Sequence, residues 1–112
     1  MNKHLFEETF TEMKSGAADL FREHFKDSAR DALDDIHSFL EESKSKLQKW
    51  TTELAGGEIN ESIFKQFVTS RQDLLKMKLL THKGLTQIKI DRFQNGLKEL
   101  VVNKLLDKFL PG

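Results

Sequence analysis

The stretch LAGGEINESIF, residues 54–64, falls at the midpoint of a 112-residue chain, and its reading decides the architecture. Leu54 closes a long apolar register. Gly56, lacking a Cβ, can take the left-handed position that ends a helix. Asn60 is a good N-cap, because its side-chain oxygen can accept from the free N–H groups of the turn that follows. Glu61 favours the positive end of the same helix. Ile59 and Phe64 have the spacing of a hydrophobic staple. Stop, turn and start within about six residues is the pattern of a connection between antiparallel helices. The stretch predicts a chain folded in two, with the turn at 56–60.

Toward the N-terminus, the apolar residues recur every eleven. Phe6, Ala17, Ser28, Phe39 and Trp50 form one series. Phe10, Phe21, Ala32, Ser43 and Leu54 form a second, and Lys14, Phe25, Ile36 and Leu47 a third. Only Lys14, Ser28 and Ser43 depart from apolar character. Eleven residues complete about three turns at 3.67 residues per turn, which is close to a straight helix and unlike a left-handed heptad. One phase held from Phe6 to Leu54 predicts a single helix over about 3–55, roughly 75–80 Å long. Gly16, Thr9-x-x-Glu12 and Ser28-x-x-Asp31 are places where it could break. The phase does not jump at any of them, so continuity is the expectation.

Toward the C-terminus, a second helix is expected over about 61–109, ended by Pro111-Gly112. Its pattern is less regular, and Gly84 and Gly96 weaken it locally. From Phe93 onward the apolar face broadens. Val102, Leu106 and Leu110 form a row one i+4 step apart, beside the row Phe93, Leu97, Val101, Leu105 and Phe109. A helix seated in one groove needs one such row. Val102, Leu106 and Leu110 are therefore the candidate interaction surface for a second subunit or an external partner.

Folding at Gly56-Gly57 pairs residues whose numbers add to about 113. Trp50 then faces Ile63, Leu47 faces Phe67, and Phe21 faces Phe93. Ala29 lies opposite Gly84, and Gly16-Ala17 opposite Gly96-Leu97, so small residues meet at two levels as close backbone approach requires. Charge supports the same pairing. Residues 1–55 carry 8 Lys/Arg against 12 Asp/Glu, and residues 56–112 carry 10 against 6, although the whole chain is neutral. An acidic helix packed on a basic one is the natural arrangement.

A hairpin of two long helices has one seam, and the stripes are too wide for it. Phe39-Leu40, Leu74-Leu75, Leu79-Leu80 and Leu105-Leu106 cannot all point at one partner. Each large side chain left in water forgoes about 1.5–3 kcal/mol. The hairpin must dimerise, or its helices must break and fold back, or the spare face must meet something else. Dimerisation is the ordinary solution, giving a coiled-coil-like homodimeric four-helix bundle.

Composition narrows the class. With no cysteine, no tyrosine, one proline at position 111 and no strand-like alternation, the chain reads as all-α. It shows neither a secretory h-region nor an apolar run near the roughly 18 residues of a membrane span. A single cytoplasmic helical domain over 1–112 is expected.

The chemistry-bearing residues are sparse. Asp34-x-x-His37 and Glu41 could present three ligands on one helix face, and in that spacing the set resembles di-iron carboxylate bundles. Those need a second Glu-x-x-His, and here His82 has Leu79 three residues earlier. A solvated acidic face is the better reading, with no metal and no cofactor. His4, His24, His37 and His82 are scattered, no nucleophile or phosphate-binding motif accompanies them, and no enzyme is expected. Lys65, Arg71, Lys76, Lys78, Lys83, Lys89 and Arg92 could track phosphates, but no exposed Tyr or Trp accompanies them for stacking. The acidic first helix is their natural partner, and no nucleic acid is expected.

The eleven-residue period resembles, in periodicity alone, the lipid-binding helices of exchangeable apolipoproteins and of granule-coating proteins. The segment GLKELVVNKLLDKFLPG, residues 96–112, is amphipathic and could lie in a membrane interface. The leading expectation is a non-enzymatic helical protein that presents an elongated bundle surface to a protein partner. The alternative is a lipid- or granule-surface binder acting through the C-terminal helix.

Overall fold

The computed structural model describes residues 2–25 and 30–110. Among these the protein is all-helical: α1 is Lys3–Phe25, α2 Arg30–Ala55, α3 Glu61–Leu79 and α4 Gln87–Phe109. The four helices form a bundle measuring 42 × 24 × 23 Å. The sequence predicts two long helices, and the structure has four short ones. A helix of about 75–80 Å does not fit a body whose longest axis is 42 Å. The helix expected over 3–55 is α1 and α2 side by side and antiparallel, tied by Lys44 to Glu7 at 2.7 Å and by Lys14 to Glu41. The one expected over 61–109 is α3 and α4, likewise antiparallel.

The physical reason is the surplus apolar surface. Folding back lets most of the apolar surface that a two-helix seam would leave wet bury itself within the same chain, where no second molecule has to be immobilised. Around the bundle α1 lies against α4 and α2, and α3 lies against α2 and α4. Phe6, Met13, Ile36, Leu40, Phe64, Leu75, Ile90, Phe93, Leu97 and Leu105 are all at most 1% exposed in its centre. One layer is aromatic, with Phe25 at 5.2 Å from Phe21 and 5.6 Å from Phe93, ring centre to ring centre.

The turn at 56–60 is present, with one correction. The left-handed residue is Gly57, at φ +77°, and not Gly56. α2 runs through Ala55, and Gly56 is its cap. Glu58 N–H donates to the Glu53 carbonyl at 2.8 Å and Gly57 N–H to that of Leu54 at 3.2 Å. This is the Schellman closure, which satisfies carbonyls that the helix end leaves open. Asn60 caps α3, its side chain accepting from Ile63 N–H at 2.9 Å.

The second correction is Gly84. In the sequence reading it lies inside a helix, pressed against Ala29. In the structure it stands in the connection between α3 and α4 at φ +86°, and a Cβ built on it meets nothing within 4 Å. Leu85 is buried before the cap and Ile90 is buried four residues into α4, the staple arrangement, while Thr86 accepts from Lys89 N–H at 3.3 Å. Ala29 itself, Ser28 with its capping spacing, and the terminator Pro111-Gly112 lie outside the described residues. Gly16 and Gly96 do sit at close approaches. Their Cβ positions fall 2.9 Å from Leu100 Cδ2 and 3.4 Å from Leu20 Cδ2.

Two departures from the apolar register have a reason across the bundle. Lys14 reaches Glu41 of α2, and Ser43 accepts from the Arg71 guanidinium of α3 at 2.9 Å. A reciprocal lock joins α3 and α4. Gln72 donates to the Gln94 carbonyl at 3.2 Å and Gln94 donates to the Gln72 carbonyl at 2.8 Å, so both buried amides place their N–H groups.

Candidate interaction surface

The row predicted for a partner faces the chain's own interior. Val102 is 3% exposed, and Leu106 and Leu110 are half-buried, packed against the core. Phe109 of the same turn sets its ring edge-on to Phe6, 6.4 Å away. Val102 stands beside Lys65 of α3 and Phe109 beside Phe6 of α1, so the bundle itself takes up much of this row and leaves a partner little area.

The acidic face splits up. Asp34 is exposed and His37 half-buried, while Glu41 takes the Lys14 ammonium. The hydrogen bond from Lys14 holds the Glu41 carboxyl below the usual glutamate value. Partial desolvation opposes that shift, and the charges of Lys14, Lys44 and His37 add to it. No cluster of three or more His, Asp and Glu able to hold a metal ion occurs among the described residues. His82 finds Asp35 instead, at 2.6 Å, pinning the α3–α4 connection to α2. The basic series is divided too: Lys76 pairs with Asp91 and Lys78 with Glu42.

The apolar surface left uncovered lies elsewhere. Ile63, Leu74, Met77 and Leu80 are 36%, 49%, 68% and 48% exposed, all on α3 or its last turn. With Phe67 and Ser70, those from Ile63 to Met77 follow a 4-3-4-3 spacing along the helix and Leu80 comes three residues later, a second stripe rotated away from the buried one of Phe64, Val68, Leu75 and Leu79. Trp50 of α2 leans on this stripe, its ring 5.2 Å from that of Phe67 and tilted by 39°. Between the two helices runs an open groove lined by Lys46, Trp50, Phe67, Ser70, Arg71 and Leu74. Arg71 forms one wall, its guanidinium held by Ser43 and set over the Phe39 ring at 6.0 Å. Lys46 lines the groove on its α2 side and Lys49 follows three residues on, and neither has an ion-pair partner among the described residues.

No family model, curated protein or solved structure matches the chain. The reading of the surface therefore rests on its own chemistry. Its signal was present in the sequence as a pair of offset stripes on one helix: Ile63, Phe67, Leu74 and Met77 beside Phe64, Val68, Leu75 and Leu79. Sequence reasoning missed it by assigning the whole width of the helix to a dimer seam. The C-terminal rows looked wider only because α4 is wedged between α1 and α3.

Proposed function

We propose that the protein is a non-enzymatic helical interaction module that presents the outer face of α2 and α3 to a protein partner. One observation carries this reading: a row of large apolar side chains on α3, flanked by a tryptophan, that stays exposed among the described residues. Monomers seldom leave contiguous apolar surface open without a use for it, because each such side chain gains on leaving water. Aromatic and arginine side chains in a groove are also the residues that anchor interfaces.

Site-specific photo-crosslinking tests the proposal. A photoreactive side chain at Leu74 should give a discrete adduct with another protein in the native cell, and the same group at Glu99, on α4, should not. Equal labelling from both positions, or none from Leu74, would overturn it.

A second reading, binding to a lipid or granule surface, draws on a different feature. Leu80 and Ile88 are 48% and 66% exposed around the α3–α4 connection, and Lys83 and Lys89 lie beside them in sequence. Apolar anchors with adjacent cations suit an anionic interface. Asp31 and Asp34, exposed near the start of α2, oppose it.

A further inference from the structure

The α2/α3 groove has a length, a width and a charge, and together these specify an occupant. From Ile63 to Leu80 the stripe extends about 25 Å, the length of roughly seventeen helical residues. From Ile63 to Met77 its side chains recur at alternating steps of four and three, the spacing that seats the apolar edge of another helix between two existing ones. The groove has one aromatic floor, Trp50 on Phe67, and one basic rim. Lys46 and Arg71 line it, Lys49 follows on α2 with Glu53 one turn beyond, neither lysine has an ion-pair partner among the described residues, and the nearby Glu42 is already engaged by Lys78 at 3.7 Å. The other edge, on α3, is nearly neutral: Ser62, Gln66, Ser70 and a single carboxylate, Asp73.

We infer that the groove takes an amphipathic α-helix of a partner protein whose flank facing α2 carries carboxylates. This rests on the proposed function above and names the partner's chemistry. A second copy of the chain suits the groove poorly. Stacking the face on its own copy sets Lys46 and Lys49 against the same two lysines in the antiparallel arrangement, and against Arg71 in the parallel one. Like charges placed so oppose association, whereas carboxylates along that flank would meet Lys46 and Arg71 in the groove. The occupant's apolar edge would lie on Phe67, Leu74 and Met77, with Trp50 enclosed at its side.

Trp50 is the only tryptophan in the protein, so its fluorescence reports this groove and nothing else. The probe is a tryptophan-free peptide of 18 residues, with leucines at alternating four- and three-residue steps and glutamates on the flanks. A matched peptide carries lysine in place of glutamate. The glutamate peptide should shift Trp50 emission to the blue and bind at least ten-fold more tightly than the lysine peptide. The preference should weaken as salt rises. Lys46→Glu with Lys49→Glu should abolish the preference, and Leu74→Lys should abolish binding, both with unchanged helix content and melting temperature.

Equal binding of the two peptides, both sensitive to Leu74→Lys, would overturn the acidic-partner inference and leave the protein-docking face standing. Absence of any Trp50 shift with either peptide would overturn both. Two other results would also overturn the inference. One is a protein that is dimeric alone and becomes monomeric with Leu74→Lys. The other is a Trp50 shift produced by vesicles of phosphatidylserine and phosphatidylcholine but by neither peptide.

Discussion

Gly84 and Gly16 have opposite reasons to be glycine. At Gly84 there is space for a side chain, but φ is +86°. A Cβ in that conformation crowds the following carbonyl at a cost of about 1–2 kcal/mol. At Gly16 the backbone is helical, and the obstacle is Leu100, whose Cδ2 lies 2.9 Å from a Cβ built there. That atom ends a flexible, half-exposed side chain and can move aside, while alanine in a helix interior returns about 1 kcal/mol over glycine. Gly84→Ala is therefore expected to lower the melting temperature by about 4–8 °C or somewhat more, since about 1 kcal/mol shifts a domain of this size by that range. Gly16→Ala should leave it within a few degrees of the parent. Thermal unfolding followed by circular dichroism decides both, and a Gly84→Ala variant as stable as the parent would mean that the connection does not hold this conformation.

At the scale of elements, two connections use the same means. Gly57 reverses the chain, Ile59 enters the core and Asn60 caps α3. Gly84 reverses it again, Leu85 enters the core and Thr86 caps α4. The first set was legible because two glycines stand together at a clean end of the apolar register. The second was overlooked because the register of residues 61–109 is irregular on both sides of Gly84, so no loss of phase marks the break. The break between α1 and α2 left no mark in the apolar phase, since Phe25, Ile36 and Leu47 keep their eleven-residue steps across it, and the capping spacing Ser28-x-x-Asp31 was outweighed by that continuity. Periodicity records which face of a helix is buried, and it is silent on whether the partner is the next molecule or the same chain turned back. The exposed apolar row was misplaced for the same cause: in the four-helix bundle Val102 goes inside and the outer face of α3 is left out. The caps differ in strength. Asn60 accepts at 2.9 Å and Thr86 at 3.3 Å. Asn60→Ala should cost about 1 kcal/mol, as cap removal commonly does, and more than Thr86→Ala. Urea unfolding of the two variants gives the comparison, and the reverse order would show that the α3 cap is not the tighter one.

For the whole molecule, the fold-back removes the argument that called for two chains. The side chains that a two-helix hairpin leaves wet are covered by the chain's other half, among them Phe39, Leu75, Leu79 and Leu105, each at most 5% exposed. What remains outside among the described residues is the α3 stripe and Ile88, and the proposed protein partner would cover the stripe. Light scattering at micromolar concentration is expected to give a mass near 13.0 kDa. A value near twice that would return the outer face of α3 to the protein itself.

The ring contact between Phe6 and Phe109 has a mechanical side. Those residues sit near opposite ends of the chain, yet their ring centres are 6.4 Å apart, because α1 and α4 are antiparallel neighbours. Tension applied near the two ends falls first on that single aromatic layer. As it parts, the load passes down the seam to Met13, then Ala17 and Leu97, then Phe21 and Phe93. Layers that yield in turn never share a force, so the bundle resists pulling with the strength of one layer and not of the whole seam. Residues near the ends then set how fast the protein opens under load, whatever the stability of its centre.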